Sequence, residues 1–133
     1  MYYIKFIMNN NFFKLTEYLY YLSLAVLFIL YLFPGSLIGY FLYGNLGQQP
    51  NIIGNPIGTS INHSFFFLYL STLGLTFRLR NKKLINSFQF LFCISILLEL
   101  LHLIIPNRAF EYYDLLANLL GVLLVVIIKK LIG

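Results

Sequence analysis

Charge is what this chain has least of. Nine basic and four acidic residues make up 10% of its 133 positions, whereas a soluble domain carries about a quarter. From Tyr18 to Phe77 there is no Asp, Glu, Lys or Arg at all. That excludes an ordinary soluble domain. With 60% hydrophobic residues and a mean hydropathy of +0.83, the chain reads as an integral membrane protein. Cysteine is nearly absent too. Cys93 stands alone, which excludes an intrachain disulfide framework and suggests a small buried hydrophobe. The N-terminus lacks a long apolar core followed by a small-residue cleavage site, so no cleaved signal peptide is expected. The segment Tyr2–Phe13 has the mixed character of a surface-lying amphipathic stretch.

What is present sorts into four apolar segments. They run from about Leu15 to Phe33, Ile61 to Phe77, Leu84 to Ile105, and Tyr113 to Ile128. Pro34-Gly35 ends the first and Pro106 the third. The expected fold is an all-α membrane bundle of four helices forming a single domain. The net charge of +5 supports a topology rather than a nucleic-acid partner, because no basic patch interleaves with base-stacking aromatics. Lys5 and Lys14 precede the first segment, Arg78, Arg80, Lys82 and Lys83 join the second to the third, and Lys129 and Lys130 close the fourth. Four crossings put all of these on one side, with both termini cytoplasmic. Arg108 is the exception, on the opposite face.

The outer connection, residues 34–60, has no charge and is rich in Gly, Pro and Asn. Its stretch Ser36–Tyr43 is apolar and aromatic, which favours a loop at the outer headgroup level over a solvent-exposed one. The run Phe65-Phe66-Phe67 and the tyrosines Tyr18, Tyr20 and Tyr21 read as lipid-facing or belt aromatics rather than a cofactor box. No cofactor is expected.

Against this background one polar run stands out: Glu99, His102, Arg108, Asp114, Asn118 and Gly121. An ionisable group at the centre of a membrane helix costs roughly 2.5–3.5 kcal/mol on insertion scales, so such groups pair, face a bundle interior or act on something. Glu99 and His102 are three apart and share a helix face; Asp114 and Asn118 are four apart and share another. Glu99 lies about 10 Å below Pro106 at helical rise. His63, opening the second segment, falls at matching depth, and Arg108 in the short third link has the reach to meet Glu99 or Asp114. Gly121 permits close helix approach.

Taken together, these residues resemble the signature of VanZ-like membrane proteins, a bacterial four-helix family named after a teicoplanin-resistance factor. That pattern has a Glu, usually a Gln three residues on, a Pro-x-Arg turn, an Asp, and an Asn followed by Gly. Glu99, His102, Pro106-Asn107-Arg108, Asp114, Asn118 and Gly121 stand at those places, and His63 stands for a His that opens the family's second helix. The resemblance covers about residues 61–128. His102 replaces the usual Gln, and Thr59 and Ser60 replace a common Asp-Lys pair. It implies a multi-pass protein of the bacterial cytoplasmic (inner) membrane, a cell-envelope role and a family-level link to glycopeptide antibiotic tolerance.

Four readings of the cluster stay open. Glu99, Arg108 and Asp114 form a buried ion cluster that sets helix register, with Asn118 and His102 as interhelical glue. Alternatively, Arg108 and the N-terminus of the last helix bind an anionic membrane-lipid headgroup, a lipid-linked glycan or a glycopeptide. In this ligand reading the site is Arg108, Glu99, His102, Asp114, Asn118 and His63. Acid–base chemistry by Glu99, Asp114, His102 and His63 on a lipid-linked substrate is the third, but Ser64, Ser95 and Cys93 lie in no nucleophile motif. The fourth is a Glu99/His102/His63 metal set; the absence of a second Glu-x-x-His motif argues against it, and no metal site is assigned. The binding reading is the one expected here.

Overall fold

A computed structural model describes residues 10–50 and 58–132. Among them are five α-helices and no strand: α1 Asn10–Leu32, α2 Leu37–Tyr43, α3 Gly58–Arg80, α4 Phe88–Leu101 and α5 Tyr112–Ile132, with a 3₁₀ turn at Leu84–Asn86 before α4. Most of the amphipathic stretch expected at Tyr2–Phe13 lies outside the described residues, as does the 51–57 part of the outer connection.

The helix ends have local causes. Pro34 cannot continue α1, and Gly35 follows it at φ +99°. Ser36 then caps α2, its Oγ accepting from Gly39 N at 2.9 Å, and Gly44 closes α2 in the left-handed conformation with its N–H donating to Tyr40 O. The apolar stretch expected as an irregular loop is therefore partly a two-turn helix. Gly39 pins it down: a Cβ there would fall 1.6 Å from Gln48 O. Ser87 caps α4 by accepting from Phe90 N at 3.1 Å. The third apolar segment is thus helical over a shorter range than its composition suggests, because Lys83–Ser87 is spent on the 3₁₀ turn and its cap.

Tyr20, Leu24, Leu27, Phe67, Leu70, Phe77, Leu91, Leu98 and Val122 form the buried core. Tyr20 and Phe67 are fully buried, so two of the expected lipid-facing aromatics belong to the interior, whereas Tyr18 and Phe65 do face outward. Cys93 is exposed rather than buried, because Leu91, Ile94 and Leu98 mark the face of α4 that turns inward. Helices α3 and α5 approach closely at Gly121, where a Cβ would meet Ser64 O at 2.4 Å and Leu68 N at 2.9 Å. Small residues at such a crossing let backbones touch.

Two helices, Asn11–Leu32 and Tyr112–Ile132, are long and apolar enough to cross a membrane. Only 33% and 28% of their apolar windows are buried, so most of that apolar surface faces outward, unlike a helix sunk in the core of a water-soluble protein.

Candidate functional site

The polar run converges at one end of the bundle, where α1 ends, α3 and α5 begin and α4 ends. Glu99 is fully buried on the last turn of α4, and His102 follows as its cap. Asp114 sits in the first turn of α5, where the helix dipole favours an acid, and Asn118 lies one turn further, fully buried. His63 comes from the second turn of α3.

The geometry ties four helices together. Tyr31 Oη donates to Asn118 Oδ1 at 2.8 Å and lies 2.5 Å from His63 Nδ1. With the Asn118 amide oxygen facing Tyr31, the single phenol proton is used there, and the His63 tautomer with its proton on Nδ1 completes the pair by donating to Tyr31. The other ring nitrogen, His63 Nε2, is 3.5 Å from Asp114 Oδ2. Asp114 Oδ1 accepts from Ser60 Oγ at 2.5 Å. Glu99 Oε1 accepts from the backbone N–H of Glu111 at 3.1 Å and lies 3.4 Å from His102 Nδ1. His102 Nε2 reaches the Tyr31 carbonyl at 3.2 Å, and its ring stacks on the Tyr31 ring at 5.4 Å and 18°. Both nitrogens of His102 thus face oxygen atoms.

Arg108 does something the sequence does not reveal. Asn107 adopts φ +58°, a left-handed conformation that Asn tolerates, and turns the chain just before it. Arg108 Nη2 then donates to Leu30 O at 2.5 Å and Nε to Phe33 O at 3.3 Å. These carbonyls belong to the C-terminal end of α1, which has no intrahelical donors for them and a partial negative charge. Among the described residues no ion pair joins Arg108 to Glu99 or Asp114, so the Glu–Arg–Asp cluster of the first reading does not form. Partial burial lowers the Arg108 pKa, against the pull of Tyr31, Glu99 and Asp114. Glu111 is shifted upward, first by loss of solvent and then by the neighbouring Asp114 and Glu99 charges. The N-terminus of α5, expected as a landing place for an external anion, already receives the Glu99 carboxylate.

A pocket of about 150 Å³ opens beside this network. Tyr31, His63, His102 and Arg108 are part of its polar lining, with Ser36, Gln49 and Asn62, and Leu27 and Phe66 are among its apolar walls. Glu99, Asp114 and Asn118 lie behind that lining rather than on it. Tyr31 is the residue that sequence reasoning missed. Its position three residues before Pro34 puts it at the depth of His63, a signal hidden by the many other tyrosines of this region. Ser60, noted only for standing where an acidic-basic pair was expected, turns out to hold Asp114.

Comparison with protein-family models, with curated proteins and with solved structures gives no match to this chain in any of the three.

Proposed function

We propose that the protein is a VanZ-like four-span bundle of the bacterial cytoplasmic membrane, with cytoplasmic termini, whose outer end binds the anionic headgroup of an envelope lipid or lipid-linked glycan. The observation that carries this reading is the pocket lined by Arg108, His63, His102 and Tyr31 with apolar walls. Two of the five guanidinium donors are spent on α1 carbonyls, which fixes the group at the pocket edge and leaves others to meet a phosphate or carboxylate. The apolar walls suit the acyl or polyprenyl root of the same molecule. Four crossings are supported by the grouping of basic residues on one side, and the outward-facing apolar surfaces of α1 and α5 suit lipid.

The test is mass spectrometry of lipids that co-purify with the full chain in mild detergent. Arg108→Ala should lose at least about ten-fold of the retained anionic lipid, and Arg108→Lys should keep part of it because a point charge remains. Unchanged lipids at unchanged stoichiometry in Arg108→Ala would contradict the proposal.

A second reading has its own support. The Ser60–Asp114, Tyr31–Asn118 and His102–Tyr31 bonds join α1, α3, α4 and α5, which is what a purely structural clamp does. Under that reading Arg108→Ala melts earlier but carries the same lipids.

A further inference from the structure

Three side chains at the inner wall of the pocket, His63 on its lining and Glu99 and Asp114 behind it, share a pattern. Each has one polar atom pinned by an outer partner and a second atom left over. His63 gives Nδ1 to Tyr31 and points Nε2 at Asp114 Oδ2, 3.5 Å away. Asp114 Oδ1 accepts from Ser60 Oγ. Glu99 Oε1 accepts from the Glu111 amide and faces His102, while Oε2, fully buried, has no hydrogen-bond partner among the described residues. One ligand atom from each of His63, Glu99 and Asp114 lies within 4.8 Å of the other two.

Hydrogen bonding alone leaves this arrangement unsettled. With its proton on Nδ1, a neutral His63 turns the lone pair of Nε2 toward a carboxylate oxygen, so two acceptors face each other. Two carboxylates are buried together, and Arg108, the nearest fixed cation, is spent on α1. A buried carboxylate oxygen without a partner is costly. A divalent cation between the three resolves all of these at once. Ligand atoms about 2.1 Å from a tetrahedrally bound ion stand about 3.4 Å from one another, close to the 3.5 Å between His63 Nε2 and Asp114 Oδ2. The three ligand atoms lie within 4.8 Å of one another, so closing the set takes an inward shift of up to about 1.4 Å. The outer bonds from Tyr31, Ser60 and His102 are of the kind that orients metal ligands.

We propose that His63, Glu99 and Asp114 form a binding site for one divalent transition-metal ion, with Tyr31, Ser60 and His102 as positioning residues. One imidazole and two carboxylates make a donor set suited to Zn²⁺ or Mn²⁺; imidazole disfavours Ca²⁺ and Mg²⁺. Asp114 takes the place that the Glu99/His102/His63 set gives to His102, whose two nitrogens are engaged elsewhere. The ion would join α3, α4 and α5 just behind the pocket lining. This site goes beyond the headgroup reading and does not depend on it.

The full chain, purified in detergent, stripped with a chelator and desalted, is titrated with Zn²⁺ alone, and the metal retained after gel filtration is counted. One Zn²⁺ per chain is expected. Glu99→Gln and Asp114→Asn keep shape and most hydrogen bonds, and each should weaken binding by more than the roughly 10–100-fold typical of losing an outer partner; Tyr31→Phe should fall within that range. Cys93→Ser should bind as the wild type does. X-ray absorption of the wild-type zinc complex, which needs no variant to fold, should show nitrogen and oxygen neighbours including one imidazole. No retained zinc, undiminished binding in both carboxylate variants, or a sulfur neighbour would each overturn the proposal.

Discussion

The two ends of the bundle use polar groups differently. At the end that carries the 3₁₀ turn, Tyr20 Oη donates to the Ile85 carbonyl, and the Asn86 side chain accepts from Lys83 N at 3.0 Å and donates to Asn81 O at 2.7 Å. Among the described residues the one ion pair there, Lys83–Glu17 at 3.6 Å, has side chains 44% and 29% exposed, a setting in which such pairs contribute about 0–1 kcal/mol. These groups close a connection, and nearly all their partners are backbone. At the other end, ionisable side chains from three helices are buried against one another. Glu99 Oε2 and Asn118 Nδ2 have no partner there among the described residues; the other two buried atoms in that condition are Ser71 Oγ in the middle of α3 and Arg78 Nη1 near its C-terminus, at the 3₁₀ end. The first end has the polar groups its loop requires. The second buries Glu99, His102 and Asp114 close together, which helix packing does not require.

The sharpest way to test this contrast is with paired substitutions, one at each end. Gly121 and Gly74 both sit in helices. A Cβ on Gly121 would meet backbone at 2.4 Å, whereas on Gly74 it would meet the Tyr20 ring edge at 3.0 Å. Gly121→Ala should therefore destabilise by roughly 1–3 kcal/mol or more, as overpacking does. Gly74→Ala should stay within about 1 kcal/mol of wild type, since alanine's helix preference offsets a small ring shift. Thermal unfolding in detergent reads both. Equal losses would mean that α3 and α5 do not meet as described.

The two buried tyrosines make a finer pair. Tyr31→Phe strips a hydroxyl from both His63 and Asn118, leaving buried groups unpaired, and should cost about 1–3 kcal/mol. Tyr20→Phe removes one bond to a single carbonyl and should cost about 0.5–1.5 kcal/mol. A larger loss for Tyr20→Phe would reverse the ranking of the two ends.

The residues of the site were legible because charge is so rare here: Glu99, His102, Asp114, Asn118 and His63 stand out from an apolar background, and helical spacing brings them to one depth. Their partners were less visible. Arg108 looks like a match for Glu99 or Asp114 only while backbone carbonyls are ignored, and a sequence does not display which carbonyls a helix end leaves unsatisfied. Tyr31 was masked by composition, since a membrane-type chain rich in tyrosine gives no sign of which one turns inward. The outer connection hid α2 for a related reason: Gly and Pro mark its ends, but its seven helical residues are too short a run for periodicity to speak.

The proposed topology turns the polar end outward across a membrane and the 3₁₀ end toward the cytoplasm. A single cysteine on a Cys93→Ser background tests it most directly. Gly47 is exposed in the outer connection, and an added Cβ there meets only Asn45 Oδ1, at 3.4 Å; Lys82 is exposed at the other end. In intact bacterial cells, a membrane-impermeant maleimide should label Gly47→Cys and should reach Lys82→Cys only after permeabilisation. Labelling of Lys82→Cys in intact cells, with Gly47→Cys protected, would contradict the topology and move the site to the cytoplasmic face.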